Sequence, residues 1–444
     1  MSFIRQQVPG SQANPDFVYY NATIVNNTVQ TTQQADDPNI TFQDTRQSAI
    51  IKDSSQYNVA VQNFSINGGT KSLPVFIPTI APTSSTDVTT TAYTITLSVF
   101  DGSAYHQSTQ SIIWKPENIT AFTQIPLTAT PLQLESDYYY CYTYTHWVDL
   151  MNQALQAAWT AAGGGSSFGT QCPFFEFDET TGLFSLSQDA NTSVIPYGST
   201  LPQPFHVASS SSSPTGKAYT SGEYSFVGMN ANLEGLLANF DTVYYADGQS
   251  WQGQSYTLPE CVFNFGLTNL LSGSVGGSPV GVSLKTKPQV SSYQLTNPFT
   301  GGLITNAYFV RQTQDFISTG TLWSPIASFV LGTSQIPVRM ENSSNPISIG
   351  SANIGSNGSA ANFQKVLLEV PINAVTADLW RGWVLYEPLV PTFSSLDPVH
   401  DGVTQLDVSV YWRNRLTNSL TPLKLYNSGT MSLRLKLQRR DVGV

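Results

Sequence analysis

LDVSVYWR (residues 406–413) and MSLRLKLQ (431–438) decide the fold. In the first, Leu406, Val408, Val410 and Trp412 alternate with Asp407, Ser409, Tyr411 and Arg413; in the second, Met431, Leu433, Leu435 and Leu437 alternate with Ser432, Arg434, Lys436 and Gln438. A strict period of two is the signature of a strand with one face on a core. It also puts Arg434 and Lys436 on one strand face, with Arg439 and Arg440 just beyond.

The same pattern recurs upstream. In FVYYNATIV, Val18, Tyr20, Ala22 and Ile24 share a face, and Tyr93, Ile95, Leu97 and Val99 alternate with Thr94, Thr96 and Ser98. Tyr57, Val59 and Val61 alternate, and then Phe64 and Ile66 resume on the other parity. That slip predicts a β-bulge. FFEFDETTGLFSLS (174–187) reads as a hairpin turning at Thr181-Gly182. Composition agrees: only 11% of the 444 residues are charged, against roughly 25% in ordinary soluble domains. Long solvated helices need charged outer faces that this chain does not supply.

One helix is clear. Over about 145–162, Trp147, Met151, Ala154, Leu155, Ala158 and Trp159 form a stripe at helical spacing, with Thr145 as the expected N-cap and Gly163–Gly165 as the stop. A shorter helix is expected at 230–240, with Leu233, Leu236, Leu237 and Phe240 inward. Many short strands with one or two short helices and no fixed repeat predict an all-β, antiparallel jelly-roll sandwich carrying an insertion. The expected layout is an extended N-terminal arm at 1–16, the first part of the jelly roll at 17–175, an insertion with loops at 176–300 (the Ser-rich 207–216 included), and closing strands at 301–444.

Net charge is −10, but residues 404–444 hold seven basic and two acidic residues. A basic end on an acidic body implies two faces with different neighbours. Cys141, Cys172 and Cys261 are odd in number and unpaired in spacing, so no disulfide framework is expected. The start, MSFIRQQVPG, lacks the apolar run of a secretion signal, and no stretch reaches the roughly 18–20 apolar residues of a membrane span.

Signs of catalysis are sparse. His106, His146, His206 and His400 are isolated, and His146 reads as a structural histidine at a helix start. Gly165, Ser167 and Gly169 match G-x-S-x-G but follow a helix end, where a nucleophile elbow needs a preceding strand. No phosphate loop, metal-ligand spacing or cofactor fingerprint is present, so no enzyme, metal or cofactor is expected. Carboxylates such as Asp137, Asp149, Glu176 and Asp178 are scattered, though a glycan-hydrolysing jelly roll needs only two facing each other. Two stretches stand out as candidate interfaces. Tyr138, Tyr140, Tyr142 and Tyr144 share one parity of SDYYYCYTYTHW, suiting either subunit packing or glycan stacking, or an ordinary two-sided strand. Arg434, Lys436, Arg439 and Arg440 suit either an acidic or phosphate-bearing partner, the genome included, or a charged strand face that guards an edge.

An ordered set of segments resembles the penton (minor capsid) proteins of virophages, polinton-like viruses and related double-jelly-roll DNA viruses. It comprises LPVFIP (73–78), YTITLS (93–98), YYYCYTYTHWVDLMNQAL (138–155), PFFEFDETTGLFSL (173–186), NANLEGLLANF (230–240), SFVLGTSQIPVRME (328–341), LDVSVYWRNRLTNSLTPLKL (406–425) and SLRLKL (432–437). These are packing motifs and transfer no catalytic residue. The Ser-rich loop near 207–216 and the stretch 246–300 depart from the pattern. The resemblance implies a structural virion protein, assembled in an infected cell as a homopentamer at the fivefold vertices of an icosahedral capsid. Its implied neighbours are trimers of the major capsid protein and other minor capsid or cement proteins. The alternative from another class is a glycan- or receptor-binding jelly roll, such as a fibre head.

Overall fold

The computed structural model describes residues 15–26, 40–68, 73–100, 105–117, 136–163, 172–189, 224–240, 242–244, 260–263, 274–275, 278–279, 295–296, 303–304, 309–315, 323–339, 365–378, 382–399, 402–426 and 428–441. In chain order the first elements are β1 (Phe17–Val25), β2 (Thr41–Thr45), β3 (Tyr57–Asn67), β4 (Thr90–Phe100), β5 (Tyr105–Ile113), α1 (Tyr144–Ala161), β6 (Phe174–Asp178) and β7 (Leu183–Asp189). Next come β8 (Tyr224–Met229), α2 (Ala231–Leu236), β9 (Thr242–Tyr244), β10 (Cys261–Phe263), and the two-residue strands β11 (Ser274–Val275), β12 (Ser278–Pro279), β13 (Leu295–Thr296) and β14 (Leu303–Ile304). The chain closes with β15 (Phe309–Thr313), β16 (Ile326–Thr333), β17 (Lys365–Pro371), β18 (Thr376–Asp378), β19 (Trp383–Tyr386), β20 (Phe393–Ser395), β21 (Gln405–Asn414), β22 (Leu420–Pro422) and β23 (Thr430–Arg439).

The chain divides into two compact units. Unit 1 is Met1–Val75, Thr120–Thr123 and Ser324–Val444; unit 2 is Phe76–Ile119 and Gln124–Trp323. Unit 2 therefore enters the sequence between β3 and β16.

Unit 1 has two sheets. One runs β1-β23-β3-β19-β18, with β20 also on β3; the other runs β17-β16-β21-β2, with β22 also on β21. Its eight principal strands in chain order are β1, β2, β3, β16, β17, β19, β21 and β23. Counted that way, the sheets read 1-8-3-6 and 2-7-4-5, all antiparallel. This interleaving, with the first strand beside the last, is the jelly roll. Alternation supplies its core. Met431, Leu433, Leu435 and Leu437 point inward from β23, and Phe64 of β3 meets Phe329 edge-on at 6.3 Å and stacks on Tyr386 at 5.3 Å.

The parity slip in β3 is a bulge. Asn63 faces Arg434 and Val61 faces Leu435, so Gln62 is the extra residue, and Tyr57, Val59, Val61, Phe64 and Ile66 all stay buried. In β21 the outward parity is buried too. Tyr411 joins Val330 and Leu420 in a second apolar cluster, and Asp407 closes the end of β16. The Asp407 carboxylate accepts from the Thr333 hydroxyl, from Ser334 N and Oγ (each 2.7 Å) and from Gln335 N (2.8 Å). Burial pushes this carboxyl up, but those donors outweigh it and hold the pKa below the ordinary carboxylate value.

Unit 2 contains the five-stranded sheet β5-β4-β8-β10-β9 and the three-stranded sheet β15-β7-β6, with α1 packed against β4, β5 and β6. The whole predicted stripe of α1 is buried. Trp147 meets Phe76 at 4.8 Å and Tyr93 at 5.4 Å, and Trp323 lies 4.9 Å from Phe184 and 5.2 Å from Tyr144. Asn152, buried on α1, holds the backbone of Phe175 at both groups: its Nδ2 donates to Phe175 O (2.9 Å) and its Oδ1 accepts from Phe175 N (2.7 Å). The helix thus continues the hydrogen bonding of β6 with a side chain. The N-cap is Thr143 rather than Thr145; its Oγ1 accepts from His146 N at 3.1 Å. His146 is structural, as its position predicted: its Nε2 lies 2.7 Å from Lys115 O and its ring stacks on Trp114. The hairpin β6–β7 turns at Gly182 (φ 71°), where Asp178 accepts from Thr180 N and the Thr181 hydroxyl. Gly163 (φ 91°) ends α1, and α2 starts at the N-cap Asn230.

Candidate assembly surface

The outer face of the sheet β1-β23-β3-β19 gathers the basic strand and the exposed aromatic residues of β1. Along β1 the outward positions are Phe17, Tyr19, Asn21, Thr23 and Val25. β23 lies beside it in register, with Asn21 opposite Arg434 and Tyr19 opposite Lys436. The Arg434 guanidinium stands 4.6 Å from the Tyr19 ring centre; the Lys436 ammonium stands 4.8 Å from Phe17 and 5.5 Å from Phe393. Each such contact contributes about 0.5–1 kcal/mol at an exposed site. The rings hold the two cations in place without neutralising them. Ser432 and Ser65 share a hydrogen bond (2.7 Å) further along the same face.

Arg439 and Arg440 act differently. Arg439 pairs with Asp16 (3.6 Å) and Asp441, and its backbone N–H donates to Asp16 O (3.0 Å). Arg440 donates to Asn58 Oδ1 and Leu396 O, each at 3.2 Å. The Tyr57 hydroxyl donates to Pro15 O. These contacts pin Pro15 and Asp16, the root of the predicted arm, to the end of β3 and β23. Residues 1–14 lie outside the described residues.

The four tyrosines do not lie on a strand. Asp137–Tyr139 forms a single 3-10 turn, Cys141 bridges to Phe76, and Tyr144 opens α1. Tyr138, Tyr140 and Tyr144 are buried within the chain and Tyr142 is half-buried, 6.3 Å from Tyr140. The alternation was misleading because a turn followed by a helix start buries neighbours of both parities: Tyr139, of the other parity, is fully buried, donates to Val88 O (2.8 Å), and burial pushes its phenol up to about 12. The aromatic face at β1 was not singled out from sequence. The available signal was FVYYNATIV itself, a nine-residue strand without a charge.

Other candidate chemistry is dispersed. Cys141, Cys172 and Cys261 are buried free thiols whose pKa values burial pushes up, which makes them poor nucleophiles. Asp178 is committed to its turn. Among the described residues no group of His, Cys, Asp or Glu is arranged to hold a metal, and no helix is long and apolar enough to cross a membrane. His206, His400 and Gly165–Gly169 lie outside the described residues.

One sheet face of this jelly roll thus carries uncharged aromatics and ring-held cations. Residues 18–439 match the family described as Sputnik minor capsid protein V18/19. The chain belongs to that family. It is a minor capsid protein of the virophage kind, a structural component of the virion. One relative, described as uncharacterized protein V18 of Sputnik virophage, is 28% identical over 165 residues, covering 36% of this chain and 92% of that protein. Among solved structures, a chain from the 3.5 Å cryo-EM structure of the Sputnik virophage is similar over 96% of this chain and 99% of its own, with TM-score 0.62 and 19% identity. The mavirus penton protein, known from a crystal structure, is similar over 96% of this chain and 100% of its own, with TM-score 0.50 and 13% identity. The fold agrees with what the ordered sequence segments implied.

Proposed function

We propose that this capsid protein is the penton: five copies close a ring at each fivefold vertex and meet trimers of the major capsid protein around it. The observation that carries the reading is a jelly roll of 1-8-3-6 and 2-7-4-5 order, in a chain matched to a minor capsid family over residues 18–439 and similar in fold to a penton protein over nearly its full length. Ring closure needs a heterologous interface, with different patches on the two sides of each subunit. Low charge density and exposed aromatic side chains favour such contacts. The role is structural, with no catalysis. Arg434 and Lys436 offer cations to an acidic neighbour, and Tyr142 is the member of the tyrosine run with surface left to offer. The N-terminal segment, whose root at Pro15–Asp16 is pinned to the sheet end, serves as a tether to an adjacent capsomer, and assembly takes place in the infected cell.

The test is cryo-EM of the parent particle together with mass photometry of the purified chain. Density for this chain on the fivefold axis and a pentamer in solution support the reading. A position elsewhere in the shell overturns it, and a trimer points instead to a receptor-binding head.

A further inference from the structure

Among the described residues, six of the eight exposed large apolar side chains of unit 1 fall into two groups on one sheet; Val399 and Leu416 lie elsewhere. On one edge of the sheet β1-β23-β3-β19-β18, Phe17 (41% exposed), Tyr19 (46%) and Val25 (46%) lie outward along β1. On the other side, Trp383 (36%) points outward from β19, and the loop between β19 and β20 carries Leu389 (103%) and Val390 (72%) at its tip. The two groups are separated by three strand steps, about 14 Å. The surface between them is polar, with Asn63, Ser65 and Ser432.

Each group is built to meet another protein surface. β1 is an edge strand of nine residues with no charge and no proline, paired only with β23 among the described residues. Natural sheets blunt such edges with lysine, proline or a covering segment, and an unblunted one invites a partner. The opposite loop reads Glu387-Pro388-Leu389-Val390-Pro391. Two prolines restrict its backbone, so a projecting apolar tip is held ready to dock with little further loss of entropy. The charges differ as well: Arg434 stands over Tyr19 on the β1 side and the exposed Glu387 begins the opposite loop, while Lys436 lies between them, over Phe17 and Phe393.

Two unlike patches on opposite sides of one sheet are what a head-to-tail ring requires, since each copy uses one patch forward and the other backward. Resting on the pentamer reading above, we infer that copies of this chain join head to tail, with the Leu389–Val390 tip and Trp383 of one copy packing against Phe17, Tyr19 and Val25 on β1 of the next. The occupant of each apolar edge is a second copy of this chain.

The experiment uses full-length chain and two variants, Leu389→Asp with Val390→Asp, and Tyr19→Asp, each checked for an unchanged thermal melt. The loop variant alters only exposed loop side chains, so it tests the contact even if Tyr19→Asp perturbs β1. Mass photometry of the wild type shows a species five times the 48.3 kDa chain, and each variant shows loss of that species with monomer in its place. Mixed one to one, the variants form a dimer and no ring, because each keeps one intact edge. A ring that survives both variants, or a mixture without dimers, overturns the head-to-tail contact and leaves the pentamer standing. A wild-type chain that stays monomeric overturns the pentamer and this contact with it.

Discussion

The two units differ in charge and in how their sequences encode their cores. Unit 2 carries 16 of the 29 acidic residues and 5 of the 19 basic ones, a net −11; unit 1 carries 13 and 14, a net +1. The −10 of the whole chain is thus almost entirely a property of unit 2. Unit 1 buries alternating aliphatic side chains between two sheets, while unit 2 buries a cluster of large rings around one helix, with Trp147 and Trp323 at its centre. A jelly roll repeats a period of two, so its strands declare themselves. A ring cluster around a helix mixes periods.

The strongest way to break this comparison is to remove one core and ask whether the other notices. Trp147→Ala leaves a large hole among Phe76, Tyr93 and Trp323 and is expected to cost about 3–5 kcal/mol. Hydrogen exchange is expected to rise throughout Tyr144–Ala161 while Tyr57–Asn67 of unit 1 stays protected. Uniform loss of protection would show that the two cores fold as one.

In unit 1 the corresponding weak point is Gly402. Its φ is +77°, and an added Cβ would collide with Ile51 O and sit 2.9 Å from Lys52 O, both backbone atoms. Gly402 N–H also closes a turn on Val399 O, and Val403 bonds Ile51. Gly402→Ala combines a disfavoured backbone region with a clash that no side chain can relieve, and is expected to cost about 2–3 kcal/mol. Chemical denaturation with fluorescence detection checks it; a midpoint within error of wild type would show that this turn can move.

How much was legible follows from the same contrast. The strands 406–413 and 431–438, the bulge in β3 and the hairpin at Gly182 were readable, because alternation and turn residues are local signals. The tyrosine run was misread as a strand, because parity alone cannot tell a strand from a turn that leads into a helix. Thr143 rather than Thr145 caps α1, a two-residue ambiguity where threonines lie on both sides of Tyr144. The aromatic shelf under Arg434 and Lys436 was hidden for another reason: Phe17 and Tyr19 are more than 400 residues from the cations they hold, and only the pairing of the first strand with the last brings them together.

Acid is expected to weaken both units. Asp407 of unit 1 is buried, and its donors hold its pKa below the ordinary value despite burial. Asp87 of unit 2 is also held low, first by the Thr90 hydroxyl and then by Thr89 N, Thr83 and Thr90 N, but it is only half-buried. A folded pKa below the unfolded one contributes stability that is complete above the unfolded value, about pH 4, and is lost as pH falls through the folded value. Both units weaken below about pH 4. Asp407→Asn is expected to cost about 1–3 kcal/mol at pH 7, because it replaces an acceptor-only carboxylate with an amide beside donors that cannot all be satisfied. Melts of wild type and variant from pH 7 to pH 3 test this, and the gap between them should narrow as the pH falls. A constant gap would assign the effect to packing rather than to charge.

The smallest expected effect concerns the surface that unit 1 presents. Lys436→Met keeps an unbranched apolar stem beside Phe17 and Phe393 but removes the cation, so stability should fall by no more than about 0.5–1 kcal/mol. Association is where the charge matters. If the proposed ring forms and Lys436 and Arg434 meet an acidic neighbour in it, wild-type association should weaken as salt rises from 50 to 500 mM, and that of Lys436→Met should show a shallower dependence. Glu387→Gln on the opposite edge should flatten the same dependence, and combining the two changes should add nothing further if the two residues face one another across the contact. Additive losses would separate them, and the basic strand would then serve a partner other than the next copy of the chain.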